Sequence, residues 1–102
     1  MNIIIIEHYN ESKKRYELLL HNFDYYDGID FLSKKICDIY SDIIKKRFDG
    51  IYYKTIEMSD RQNRYYLEWH EDIGNYIYAG SDSYFSEMKR KISAIVKIIN
   101  DI

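Results

Sequence analysis

The 102-residue sequence predicts one α+β domain, in which helices cover one face of a three-stranded antiparallel meander to which an N-terminal strand can be added. Two long segments carry apolar residues at helical spacing, and between them the apolar period changes to two. No proline and no Gly- or Ser-rich linker interrupts the chain, so residues 1–102 are predicted to form a single domain. The predicted order of elements is β-α-α-β-β-β-α.

The N-terminal segment has the most ambiguous pattern. Residues 2–7 are mostly apolar and predict a buried strand, although a helix over the same stretch remains an alternative. Further along, apolar residues recur at spacings of three and four, namely Tyr16, Leu19, Leu20 and Phe23. This spacing predicts a helix that begins after a cap at Asn10 or Ser12 and ends before the break at Asp27-Gly28.

The clearest helical pattern covers residues 30–48. Its stripe consists of Leu32, Ile36, Ile39, Tyr40, Ile43 and Arg47. Asp30 can cap the first turn, a basic run suits the negative end of the helix dipole, and Gly50 follows as a stop signal. The third and last helix is predicted over residues 84–101. Its buried stripe consists of Phe85, Met88, Ile92, Ile95, Val96 and Ile99.

The segment between these helices has the alternation of strands. The predicted meander consists of residues 51–58, 64–71 and 75–79, with turns at 60–63 and 72–75. In its middle strand Tyr65, Leu67 and Trp69 share one side and are predicted to face the helices.

The other side of this sheet is predicted to combine tyrosines with carboxylates. Its members are Tyr53, Glu57, Tyr66, Glu68, His70, Tyr76 and Tyr78, and Glu71 and Asp72 extend the group at the following turn. Tyrosine provides a large contact area with only two side-chain torsions to fix, and carboxylates steer a basic partner. The pattern therefore predicts a protein-binding face.

Composition excludes several other classes of protein. With 46% apolar and 31% charged residues the chain is typical of soluble globular proteins, and no apolar run approaches the length of a membrane span. No leader peptide is recognisable, so a cytoplasmic location is expected. The basic runs are short and scattered, which argues against nucleic-acid binding. We expect no cofactor and no metal, because neither a phosphate loop nor a metal-ligand spacing is present.

Two short patterns resemble nuclease signatures, and each departs from its family. The tripeptides at residues 50–52 and 76–78 resemble the GIY-YIG endonucleases, but they lie too far apart and the second lacks its glycine. Arg64 and His70 have the spacing of the HEPN ribonucleases, but here they fall on a predicted strand instead of a helix. No catalytic residue is predicted, and a small nuclease is the third-ranked interpretation.

Size, an acidic middle segment and a Tyr-rich sheet make the chain similar to small cytoplasmic immunity proteins that neutralise bacterial nuclease toxins. Residues 51–87 hold seven acids and three bases. Such proteins include the immunity proteins of contact-dependent growth inhibition systems. The resemblance implies a complex with a basic cognate toxin domain, made through the tyrosines and carboxylates named above. The chain itself would be a monomer or a weak homodimer. The alternative is a homodimeric regulatory or adaptor subunit that makes its contact through an exposed apolar stripe on the helix of residues 84–101.

Overall fold

The computed structural model describes all residues from 1 to 102. In chain order the elements are β1 (Ile4–Asn10), β2 (Arg15–His21), α1 (Gly28–Tyr40), β3 (Ile43–Asp49), β4 (Tyr53–Asp60), β5 (Asn63–His70), β6 (Gly74–Ala79), a 3-10 turn (Asp82–Tyr84) and α2 (Phe85–Asn100). All six strands belong to one antiparallel sheet of order β1-β2-β6-β5-β4-β3. The α+β class is confirmed, whereas the three-stranded meander is wrong: β4, β5 and β6 form only half of the sheet.

Residues 15–21 form a strand, not the predicted helix. Strand β2 pairs along its whole length with β1 and also contacts β6, where Leu18 faces Ile77. Leu18 and Leu20 are buried against the helices, while Leu19 points to the other face. A run of three leucines satisfies helical spacing and alternation equally well, so pairing with two neighbouring strands decides the outcome. Residues 4–10 form a strand as well, but β1 pairs with β2 and not with the meander, so the predicted sheet of three strands with one added is wrong.

The helix predicted over residues 30–48 is wrong over its last eight residues. Helix α1 ends at Tyr40, where Ser41 adopts the left-handed conformation with φ 61°, and its amide donates to the Cys37 carbonyl at 3.2 Å. The chain then continues as β3, every residue of which is exposed. Ile43, which the predicted stripe placed inside, is 53% exposed. Apolar residues therefore keep helical spacing beyond Tyr40, although a helix there would have no core to pack against.

Asp30 also differs from its predicted role as a helix cap. It lies inside α1, while Asp27 occupies the capping position without a side-chain hydrogen bond. The Asp30 carboxylate instead accepts a 2.6 Å hydrogen bond from the buried ammonium group of Lys54 and pairs with Arg47. Gly50, predicted to stop the helix, lies in the loop between β3 and β4. Asp30 therefore links α1 to strands β3 and β4 of the sheet.

Both helices pack on the same face of the sheet, as expected. The predicted stripe of α2 is confirmed as part of the core, since Met88, Ile92, Ile95, Val96 and Ile99 are buried there. The strand side chains Tyr65 and Leu67 are buried beneath the helices, and Trp69 packs at the margin of the same cluster. The face assignment of β5 is thereby confirmed. Neither α1 nor α2 has the length and apolarity needed to cross a lipid bilayer.

A buried polar network joins α2 to the ends of α1, β4 and β5. The Lys91 ammonium group donates to Asp42 at 2.6 Å and to Asp60 at 3.1 Å. The Tyr65 hydroxyl donates to the same Asp42 oxygen at 2.5 Å, and the Tyr84 hydroxyl donates to Asp60 at 2.6 Å. Since one ammonium group and two hydroxyls satisfy both carboxylates, the charges are tolerated within the core.

Candidate functional site

The sheet face opposite the helices, here called the open face, carries the residues predicted to bind a partner. Pairing of β5 with its two neighbours places Tyr66 between Glu57 and Tyr78. One row along, Glu68 lies between Thr55 and Tyr76, and His70 faces Tyr53 in the next row. The structure therefore brings all seven predicted strand residues together on one surface, in three adjacent cross-strand rows.

Glu68 is the centre of this surface. Its side chain is buried, with the residue only 4% exposed, although no helix covers it. One carboxylate oxygen accepts the Tyr76 hydroxyl at 2.7 Å. The other accepts hydroxyls from Tyr78 at 2.7 Å and from Tyr53 and Thr55 at 3.1 Å. Four hydroxyl groups from the two neighbouring strands β4 and β6 thus share one carboxylate, so the rings around it are held in place by hydrogen bonds instead of by a packed layer above.

The tyrosine cluster, defined as Tyr53, Tyr66, Tyr76 and Tyr78 around Glu68, is rigid in a second way. The rings of Tyr66 and Tyr78 stack with centroids 5.0 Å apart, and Tyr76 stacks on Tyr78 at 6.4 Å. Burial, followed by the hydrogen bond to Glu68, raises the pKa of Tyr76 and that of Tyr78 well above the ordinary value. The hydroxyls therefore remain protonated donors at neutral pH.

Arg15 and Glu17 flank the tyrosine cluster, and sequence reasoning missed both. The Arg15 guanidinium carbon lies 3.4 Å from the centroid of the Tyr78 ring, and its Nε donates to Glu17 at 2.8 Å. Glu17 is only 4% exposed. Both residues were overlooked because residues 15–21 were assigned to a helix. The signal that identifies them is the alternation of Arg15 and Glu17 with the buried Leu18 and Leu20.

The carboxylates of the open face are less available than the sequence suggests. Glu68 is used by hydroxyls, Glu17 is bonded to Arg15, and Glu57 lies 3.4 Å from the Arg64 guanidinium group. The open face therefore offers aromatic contact area and hydroxyl groups, while its charges are largely paired within the protein. Such pairing depends on cross-strand register, which single-residue patterns do not specify.

Unpaired acidity lies instead at one end of the sheet. We call the loops of residues 22–27, 50–52 and 71–73 the acidic loop edge. These loops contain four carboxylates and neither lysine nor arginine. The carboxylates belong to Asp24, Asp27, Glu71 and Asp72, and all four residues are exposed. Sequence reasoning identified only Glu71 and Asp72. It missed Asp24 and Asp27 because residues 15–21 were predicted to be helical, so no strand was expected to end beside them.

Large apolar side chains are exposed beside these carboxylates. The most exposed are Ile51 at 80%, Tyr52 at 63%, Ile73 at 56%, Tyr25 at 55% and Tyr26 at 50%. Hydrogen bonds join the loops, since the Glu71 amide donates to the Tyr52 carbonyl at 3.0 Å and the Tyr26 hydroxyl to the Gly50 carbonyl at 3.4 Å. Grouped exposed apolar residues with a polar rim are typical of protein-interaction surfaces.

A depression of about 460 Å³ lies on the open face where His70 approaches the tyrosine cluster. Its lining includes two buried carboxylates, Glu17 and Glu68. The His70 Nδ1 atom accepts the Asp72 amide at 3.1 Å, which leaves Nε2 as the nitrogen available to a ligand. No three side chains of His, Cys, Asp or Glu come together as a metal site. The depression therefore has titratable groups, but its carboxylates already serve as acceptors for neighbouring side chains.

Comparison with known proteins adds no relative to this picture. No family model, no curated protein and no solved structure matches the chain. The functional interpretation consequently depends on the geometry of the open face and of the acidic loop edge.

Proposed function

We propose that this protein is an immunity protein, a protein inhibitor that binds and blocks the active site of a cognate bacterial toxin, with a nuclease domain as the partner. The observation that carries the proposal is the juxtaposition of a preorganised tyrosine cluster with the acidic loop edge. Tyr53 belongs to the cluster and directly follows Ile51 and Tyr52 of that edge, so the two surfaces are continuous. The class-level resemblance noted above supports the same conclusion.

Preorganisation favours tight binding. Immobilising a flexible side chain at an interface costs about 0.5–1.5 kcal/mol, and this cost is reduced where the side chain is already fixed in the free protein. Hydrogen bonds to Glu68 fix Tyr53, Tyr76 and Tyr78 in this way. Rigid aromatic side chains of this kind are the usual anchors of protein interfaces.

Charge favours a basic partner. A nuclease must attract phosphate groups, so its substrate cleft is positively charged. The acidic loop edge presents four exposed carboxylates and no lysine or arginine that would repel such a cleft. An inhibitor that places carboxylates where the phosphates bind would block the substrate and would associate rapidly.

The test uses the product of the neighbouring gene, because a toxin and its inhibitor are normally encoded together. That product is purified and its hydrolysis of RNA and DNA is measured while this protein is added. We expect a one-to-one complex and complete inhibition at equimolar protein. A neighbouring product that neither binds nor is inhibited would contradict the proposal.

The depression beside His70 favours a second candidate function, a small hydrolytic enzyme. His70 and two carboxylates line one concave surface, which is the arrangement a general base and acid would need. The test is hydrolysis of RNA and DNA by the purified protein, with and without divalent cations. Activity that is lost in His70→Ala would support this function. The regulatory alternative lacks its predicted surface, because the apolar stripe of α2 is buried in the core.

A further inference from the structure

The two edges of the sheet, β1 and β3, differ in the features that prevent pairing with another chain. A free strand edge presents unpaired backbone N–H and C=O groups, and proteins protect such edges with charged residues, bulges or short strands. Strand β3 contains three consecutive bases and a bulge between Ile44 and Lys46. Strand β1 has seven residues in regular register, with neither lysine nor arginine.

The side to which the backbone N–H and C=O groups of β1 point follows from the side-chain contact of Asn22 with the Asn2 carbonyl, and the contacts of Asn100 agree with it. The Asn22 side chain, beyond the end of β2, donates to the Asn2 carbonyl at 3.2 Å, so that carbonyl points towards β2. Groups of successive residues point in opposite directions along an extended chain, so those of Ile3 point to the free edge. The same alternation directs the N–H and C=O groups of Ile5 and Glu7 to the free edge.

The Asn100 side chain occupies the beginning of this edge. Its carboxamide accepts the Ile3 amide at 2.8 Å and donates to the Ile3 carbonyl at 3.0 Å, as a paired strand would. This cap leaves the groups of Ile5 and Glu7 uncovered. The unprotected part of the β1 edge therefore begins after Ile3.

The side chains of β1 are also suited to contact with another strand. On the open face Ile4 is 45% exposed and Ile6 is 46% exposed, side by side. On the helix face the only charged group is Glu7, which is paired with Lys89 at 2.9 Å. An exposed, regular and apolar edge of this kind is expected to associate with another strand.

We infer that β1 pairs antiparallel with β1 of a second copy of this chain, which joins two sheets into one. A two-fold axis at Ile6 places the two Ile6 side chains opposite each other and sets Ile5 opposite Glu7 of the second copy. The backbone groups of Ile5 then bond those of Glu7, and the two glutamates avoid direct opposition. The interface is closed, because its two-fold symmetry leaves no β1 edge free for a third copy.

A second copy fits this edge better than the other available strand does. Pairing of β1 of one copy with β3 of another would build an open-ended fibre. The bulge and the three bases of β3 oppose such pairing. The tyrosine cluster lies on β4, β5 and β6, and β2 separates these strands from β1, so the dimer leaves the cluster of each copy accessible. The association is therefore independent of the proposed inhibitory function.

The test is the mass of the purified protein by sedimentation equilibrium from low micromolar to millimolar concentration. We expect the wild type to shift from monomer to dimer and Ile6→Lys to remain monomeric, because two ammonium groups would meet at the axis. Ile44→Lys is the matched control, since Ile44 is 43% exposed on the opposite edge, and it should dimerise as the wild type does.

Amide hydrogen exchange provides a second measurement. Protection of the Ile5 and Glu7 amides should increase with protein concentration in the wild type and stay low in Ile6→Lys. Thermal melts of both variants verify that the monomer is folded. A wild type that remains monomeric at every concentration, or a dimer that Ile6→Lys leaves intact, would overturn the inference.

Discussion

Tyr65 and Lys91 share one buried carboxylate oxygen, that of Asp42, at 2.5 Å and 2.6 Å. Tyr65 comes from the sheet and Lys91 from α2, while Asp42 lies at the turn where α1 gives way to β3. This contact fixes the turn that the sequence pattern failed to predict. The same network lowers the pKa of Asp60, through the hydrogen bond from Tyr84 and, after the opposing effect of burial, that from Lys91.

Removal of Lys91 should destabilise the protein severely. The Lys91→Met change leaves Asp42 and Asp60 without their base, and breaking a buried ion pair from one side costs about 3–5 kcal/mol. Urea denaturation measures the free energy of unfolding. The double variant Lys91→Met/Asp42→Asn should recover part of the loss, because one uncompensated charge is gone. Lys89→Met is the control, since its exposed pair with Glu7 should contribute about 0–1 kcal/mol.

Acid should weaken the same network. The pKa of Asp60 is lower in the folded state than in the unfolded state, so its stabilising contribution is complete above the unfolded pKa. That contribution is lost as the pH falls through the folded pKa. We expect the free energy of unfolding to decline below about pH 4. The decline should be smaller in Asp60→Asn, and equal slopes for the two proteins would show that Asp60 does not contribute.

Glu68 should contribute to stability and Glu57 should not. The Glu68→Gln change replaces an acceptor of four hydroxyls by a group with one acceptor oxygen, and unsatisfied buried groups cost about 1–3 kcal/mol. The Glu57→Gln change removes a partly exposed ion pair with Arg64 and should cost about 0–1 kcal/mol. Thermal and urea unfolding of the two variants compare them. Equal stability would mean that Glu68 does not organise the tyrosine cluster.

The tyrosine cluster should make stability sensitive to alkali. The pKa values of Tyr76 and Tyr78 are raised in the folded state from an ordinary value of 10.0. The folded protein therefore holds protons that the unfolded chain releases, and the stabilisation is present below pH 10 and is lost as the pH rises further. Phenolate absorbance should show these hydroxyls titrating only on unfolding. The variant Tyr76→Phe/Tyr78→Phe should lose less stability between neutral and alkaline pH.

Binding kinetics should separate aromatic anchors from steering charges. Against the neighbouring gene product, Tyr66→Ala should mainly speed dissociation, because a stacked anchor is removed. Glu71→Lys should mainly slow association, and the effect should shrink at high salt. Tyr9→Ala and Glu11→Lys are matched controls on the helix face and at the opposite end of the sheet. If the site variants behave like these controls, the interface lies elsewhere.

Parts of the fold follow directly from local pattern. Helix α2 carries a long stripe with a single period, and the alternation around Tyr65 and Leu67 has no competing helical interpretation. The inward side of β5 could therefore be assigned from the sequence, and with it the face on which Tyr66 and Glu68 lie. These elements are long or regular enough for the period to decide.

The number of strands and the charge of the site were decided by tertiary structure. Short apolar runs such as residues 18–20 satisfy both the helical spacing and the alternation of a strand, so only pairing with β1 and β6 makes them a strand. Glu68 is predicted from the sequence to be an exposed acid, yet in the sheet it is surrounded by hydroxyls from the two strands on either side of it. Local pattern fixes the side to which a residue points. Which side chains it meets there depends on the register between strands that are distant in the sequence.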